Sequence, residues 1–198
     1  GVSGHMLREN VSKFPQSKRS ATALERADAV IFLQEIEKFE EQVHFLDSKA
    51  MITVAANYFE DGRVYVKPHP AMSHKALADI VRLCSRYKNT TVSDASVHDL
   101  VAASSVVLTQ NSAVGFEALM QKKPVITCAK SDYWQATCVA TSEVDLTEKL
   151  GVAKSALRDF PYEKYLYWFL HEHCFEPQSE DFEEMVFEKL RTTWPEFF

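Results

Sequence analysis

No stretch of this chain approaches the run of about 20 apolar residues that a membrane-spanning helix needs, so no segment reads as a span. Excess positive charge is also lacking. Lys and Arg number 22 against 28 Asp and Glu, a formal net charge of -6. That balance speaks against a broad nucleic-acid-binding surface and leaves local positive charge at a pocket open. Cysteine is scarce: Cys84, Cys128, Cys138 and Cys174 form no C-x-x-C pair. Reduced, structural thiols in a cytoplasmic protein are the expectation. There is no internal repeat and no low-complexity segment. No secretory signal follows Gly1-Val2-Ser3-Gly4-His5-Met6, which reads as an expression scar and is set aside.

What is present is a globular balance. The 198 residues are 46% hydrophobic and 25% charged, enough for one ordinary domain with its own core. Residues 7–27 are polar and read as a linker or arm, or the end of a preceding domain. From residue 28 the pattern alternates. The apolar run 29–34 predicts a buried strand, and the spacing of Phe39, Val43, Leu46, Ala50 and Val54 predicts a helix over 37–59. Residues 64–66 predict a second strand and 74–87 a helix. A third strand follows at 90–92, then a short helix capped by Ser96 through Ala103. Residues 105–109, 113–121 and 124–128 predict a strand, a helix and a fifth strand. Such alternation implies a parallel sheet with right-handed crossovers and helices on both faces. We expect a Rossmann-like nucleotide-binding domain over 28–150. Helices over 151–198, dense in aromatics between 155 and 175, are expected to pack on that same domain.

In a parallel α/β sheet, ligands sit beyond the carboxyl ends of the strands. Three segments fall there. Lys67-Pro68-His69-Pro70 follows the second strand. Its prolines enforce extended geometry, which turns Lys67 and His69 to one side. A strand exit with a solvated lysine and a surface histidine is the alternative reading. Asn111-Ser112-Ala113-Val114-Gly115-Phe116-Glu117 follows the fourth strand. Ser112 or Asn111 can cap the helix there, and a capping box would want Glu or Gln where Gly115 stands. The terminus should therefore keep amide groups and room for an anion. Glu117, one turn in, either complements the helix dipole or takes hydrogen bonds from ribose hydroxyls. Ser131, Asp132 and Tyr133 follow the fifth strand, and Tyr133 or Trp134 either lines a base pocket or simply packs. His171-Glu172-His173-Cys174 has metal-ligand residue types, but neighbours on a helix point in different directions, so a structural role is favoured over a zinc site.

The order Lys-Pro-His-Pro, then Asn-Ser-x-x-Gly-Phe-Glu-Ala-Leu, then Pro-Val-Ile-Thr and a tyrosine, resembles the capsule polysaccharide biosynthesis family. More narrowly it resembles the nucleotide-binding half of that family's β-Kdo transferases, which have a GT-B fold. The resemblance covers roughly residues 28–135. The His-Pro and Ser motifs are also similar to those of bacterial sialyltransferases. Both groups use CMP-activated acidic sugars. The resemblance implies that His69 donates to the donor phosphate and stabilises the leaving group. Ser112, with the backbone amides around Ala113 and Val114, would bind the same phosphate; Glu117 would hold the ribose and Lys67 add charge. Asn111, Gly115 and Tyr133 complete the expected nucleotide site.

Charge stabilisation of this kind calls for no metal and no cofactor beyond the sugar-nucleotide donor. A GT-B enzyme has two Rossmann-like halves, and this chain has length for one. The expectation is therefore a C-terminal half whose glycan or glycolipid acceptor is bound by an N-terminal domain missing here. No catalytic carboxylate is nominated. The expected place is the cytoplasm, with peripheral association at the inner face of the membrane left open. CDP-glycerol glycerophosphotransferases and a non-catalytic nucleotide-binding module remain the alternatives.

Overall fold

The apolar segments at 27–32, 64–67, 104–109 and 125–127 are buried on both faces, as a central parallel strand must be, and they pair into one sheet. The computed structural model describes residues 2–197. In chain order it places α1 (Val2–Arg8), β1 (Ala27–Phe32), α2 (Ser48–Tyr58), β2 (Val64–Lys67), α3 (His74–Cys84) and β3 (Thr90–Val92). Next come α4 (Val97–Ala103), β4 (Ser104–Thr109), α5 (Ala113–Met120), β5 (Val125–Thr127), β6 (Cys138–Val139) and α6 (Glu143–Ala156). The chain divides into two units, one running to Phe160 and one from Pro161.

All six strands are parallel, in the order β3-β2-β1-β4-β5-β6. Ile31 of β1 pairs with Val66 on one side and Leu108 on the other. The order reverses between β1 and β4, and at such a switch point a doubly wound sheet opens a crevice at its carboxyl edge. One face of the sheet presents Ala29, Ile31, Val66, Leu108 and Ile126 to Met51, Ile52, Ile80, Leu146 and Leu150 of α2, α3 and α6. The alternate residues, such as Val30 and Val107, are equally buried and face the side of α4 and α5. Helix starts are set locally. Asp47, Ser73, Ser96, Ser112 and Ser142 each accept a first-turn amide at an N-cap, which is worth roughly 1 kcal/mol per helix.

Two expectations need correction. The predicted helix over 37–59 is split: a 3-10 turn covers Ile36–Lys38, and α2 begins only at Ser48. Competing hydrogen bonds explain the split. Glu37 Oε1 accepts from the Ser48 amide at 2.7 Å, the Ser48 hydroxyl at 2.6 Å and Gln110 Nε2 at 2.9 Å. Phe45 and Leu46 donate to the Cys128 carbonyl, and Lys130 donates to that of Val43. The segment is thus hooked to the end of β5, and Phe39 of the predicted apolar face is exposed. The expected domain boundary at 150/151 also falls inside α6, whose Leu146, Leu150 and Ala153 are buried in the core. Strand β6 is too short to have stood out in the sequence.

The segment set aside as a scar runs into α1, where Ser3 Oγ donates to the Met120 carbonyl at 2.9 Å and Met6 is buried. The second unit consists of α7 (Tyr162–Glu172), α8 (Phe182–Thr193) and a final 3-10 turn. Within it Tyr165 makes tilted ring contacts with Trp168 and Phe169, and Phe175 meets Phe182 edge to face. Helix α8 has no buried residue.

Candidate functional site

A cleft of about 510 Å³ opens at the carboxyl edge of the sheet, across β1, β2 and β4. Lys67, His69, Ser112, Ala113 and Val114 line it together. Residues far apart in sequence meet there because each follows a strand of one parallel sheet.

His69 sits in the turn after β2, where its carbonyl accepts the Met72 amide at 2.9 Å. Its Nδ1 accepts the Ala71 amide at 3.1 Å. In a neutral ring the proton is then on Nε2, assigned from this hydrogen bond. Burial pushes the imidazole pKa down, the nearby Lys13 charge adds to the effect, and Glu35 opposes it. His69 is therefore a neutral donor of one N–H at ordinary pH. Lys67 is also shifted down by burial, against the pull of Asp94. Its Nζ donates to the carbonyls of Asp94 (3.0 Å) and Ala95 (2.8 Å). Two of three ammonium protons thus hold the turn before α4, leaving one for a ligand.

Ser112 is the N-cap of α5. Its Oγ accepts the Val114 amide at 3.3 Å, and its carbonyl accepts the Gly115 amide at 2.9 Å. The hydroxyl keeps its own proton to donate. With the positive end of the α5 dipole behind it, this corner is suited to an anion. Asn111 serves the framework instead. Its amide N–H donates to Gln34 Oε1 at 3.1 Å and its side chain to the Lys130 carbonyl at 3.0 Å. It ties the ends of β1, β4 and β5 together and does not line the cleft.

The room expected at Gly115 is already taken. The Tyr133 hydroxyl donates to the Ser112 carbonyl, and a Cβ at Gly115 would collide with that hydroxyl and meet ring carbons at 3.0 Å. Tyr133 is buried and contacts Phe116 at 6.0 Å between ring centroids, so it packs beneath the α5 terminus. Trp134 is exposed and outside the cleft.

Glu117 is only 8% exposed and lies beneath the amino-terminal arm, out of the cleft lining. Its Oε1 accepts the Ser12 hydroxyl at 2.9 Å and the Lys13 amide at 3.4 Å. Its Oε2 is buried and has no partner among the described residues. Burial pushes its pKa up; the Ser12 and Lys13 hydrogen bonds and the His98 charge work the other way. The arm was the feature missed in the sequence. Ser12, Lys13, Phe14 and Pro15 line the cleft, and the Phe14 ring stands edge-on to His69, centroids 4.8 Å apart at 83°. The only sequence signal was a Phe-Pro pair within an otherwise polar stretch.

Among the described residues no group of three or more His, Cys, Asp or Glu side chains could hold a metal ion. His171 makes a tilted ring contact with Tyr167, and His173 contacts Trp168 and Phe169. No helix among the described residues is long and apolar enough to cross a membrane.

The parallel order and the switch-point cleft define a Rossmann-like α/β domain. Residues 33–140, over half of the chain, match the family described as capsule polysaccharide biosynthesis protein, and the chain belongs to that family. Among solved structures, it is similar to a UDP-GlcNAc 2-epimerase from Methanocaldococcus jannaschii at 15% identity and a TM-score of 0.51, covering 67% of this chain and 40% of that one. It is similar to the wall teichoic acid polymerase TagF at 12% identity and a TM-score of 0.50, covering 87% and 46%. A third similarity is to Thermosulfurimonas dismutans KpsC, a beta Kdo 2,4 transferase, at 20% identity and a TM-score of 0.49, covering 76% and 52%. At these identities the first two likenesses are of fold. The chain spans about half or less of the length of these structures. No curated protein matches it significantly.

Proposed function

We propose that this chain is the donor-nucleotide domain of a glycosyltransferase of cell-surface polysaccharide synthesis, and that its donor is a CMP-activated acidic sugar, Kdo. The observation that carries the reading is the convergence of the neutral His69, with its Nε2–H, and the Ser112-capped terminus of α5 on one cleft. A phosphate between them would take an N–H, an O–H and helix-terminal amides.

In the transfer, the bond from the sugar's anomeric carbon to the phosphate oxygen breaks and charge builds on the departing CMP. His69 donates to that phosphate and Ser112 shares the load. Lys67 adds positive charge from the wall of the cleft. Preorganised donors aimed at developing charge are worth about 3 kcal/mol each in comparable sites. Glu117 holds the ribose hydroxyls once the arm gives way. The reading assigns no metal. The acceptor glycan or glycolipid and the group that activates it belong to a partner domain, in the cytoplasm at the inner face of the membrane.

Titration calorimetry with CMP, CDP, UDP and GDP tests the reading. CMP should bind best, and His69→Ala and Ser112→Ala should each weaken it about tenfold or more. Absence of CMP binding, or equal losses from substitutions on the far edge of the sheet, contradicts it. Preference for CDP would move the donor to another class.

A further inference from the structure

Asn10 lies in the left-handed backbone region, at φ 53°, which asparagine tolerates better than most residues. It closes a loop at its base. Its side-chain amide donates to the Ser17 carbonyl at 3.0 Å, and its own carbonyl accepts from Gln16 Nε2 at 2.9 Å. Both feet of this loop are pinned to α4 and the turn before it. Ser96 Oγ donates to Asn10 Oδ1 at 2.7 Å and His98 Nε2 to the Val11 carbonyl at 2.8 Å. On the other foot the Val97 amide donates to Gln16 Oε1 at 2.7 Å, and Ser17 Oγ to the Asp94 carbonyl at 2.8 Å.

The tip, Ser12 to Pro15, is held in another way. Its polar contacts among the described residues are those of the Ser12 hydroxyl and the Lys13 amide on Glu117. Its one ring, Phe14, stands against His69. Three consecutive residues therefore bridge the two groups assigned to ribose and phosphate: the Ser12 hydroxyl imitates a ribose hydroxyl on the carboxylate, and the Phe14 ring blocks the space beside the imidazole. The imitation is incomplete. Ser12 offers one hydroxyl, and Glu117 Oε2 stays buried without a partner, a costly state for a carboxylate oxygen. The two neighbouring hydroxyls of a ribose would serve both oxygens.

We infer that Ser12–Pro15 is an autoinhibitory strap, a built-in pseudo-ligand that a ribonucleotide lifts from Glu117 while the loop's feet stay pinned. The inference rests on the proposed nucleotide site. It makes the site select for an intact ribose, because only a diol replaces Ser12 with a net gain in hydrogen bonds.

The test is calorimetry with CMP and 2′-deoxy-CMP on the full chain and on Ser12→Ala, joined to amide hydrogen exchange. Ser12→Ala should bind CMP about tenfold tighter, since a hydrogen bond to a charged group no longer competes. CMP should speed exchange at the Lys13 and Phe14 amides, and 2′-deoxy-CMP should bind more weakly than CMP to both chains. Unchanged or weaker CMP binding by Ser12→Ala, or slowed exchange at the tip, overturns the strap and makes the loop a fixed wall. If neither chain binds a nucleotide, the site reading falls and the strap with it. The two failures are distinct, because loss of the strap alone leaves CMP binding by the unaltered chain, sensitive to His69→Ala.

Discussion

The Tyr133 ring occupies the space that a side chain at Gly115 would need, and its hydroxyl closes the contact by donating to the Ser112 carbonyl. The glycine is thus explained by a neighbour beneath the helix terminus. Tyr133 in turn fixes the residue that caps α5, so one buried ring sets the position of that helix terminus.

Gly115→Ala should therefore destabilise the fold by about 1–3 kcal/mol, the range for overpacking a filled core. Denaturant unfolding measures it. In the double variant with Tyr133→Ala, the added cost of the Gly115 change should largely vanish, because coupled sites are not additive. Full additivity would mean that the two do not meet.

Glu37 offers a second test, at the point where the predicted helix fails. One carboxylate oxygen accepts three donors from Ser48 and Gln110. Glu37→Ala should cost roughly 2–3 kcal/mol, as for hydrogen bonds to a charged group with buried donors left behind. Burial pushes the Glu37 pKa up, but the Ser48 and Gln110 hydrogen bonds win and hold it below 4.5. The folded chain then binds fewer protons than the unfolded one in the window below 4.5. The stabilisation is complete above that value and fades as pH falls through the lowered folded pKa. The difference in unfolding free energy between the unaltered chain and Glu37→Ala should shrink in acid and be flat near pH 7.

His69 titrates in the opposite sense to a histidine that has gained an anion. Its pKa in the free chain lies below 6.5, with burial the main cause. A bound phosphate favours the imidazolium and raises the pKa again. Binding therefore takes up protons between the two values. CMP affinity should fall as pH rises through that window and level off above it. His69→Gln should remove the slope. The imidazole C–H shifts in NMR titrations with and without CMP read both pKa values.

Much of this was legible before the structure. Short apolar runs set the expected strand ends at Val66, Thr109 and Cys128, within one residue of the observed Lys67, Thr109 and Thr127. A parallel sheet then brings Lys67, His69 and Ser112 to one edge. What was not legible rests on contacts between distant segments. Glu37 breaks a helix that local spacing favours, because its partners are Ser48 and Gln110. Gly115 looks like room for a ligand until Tyr133, in a later loop, is seen to fill it. Glu117 looks accessible one turn into α5, but residues 12–13 cover it. A polar arm carries no periodicity, so in residues 7–27 only the Phe14-Pro15 pair hinted that its tip lies over the cleft.

The most direct test of the proposed nucleotide site is to map CMP on the isotopically labelled chain by NMR. The site predicts saturable shifts at the His69 ring and at the amides of Ser112, Ala113 and Val114, all lost in His69→Ala. Shifts confined to other parts of the surface, or none at saturating CMP, would contradict it.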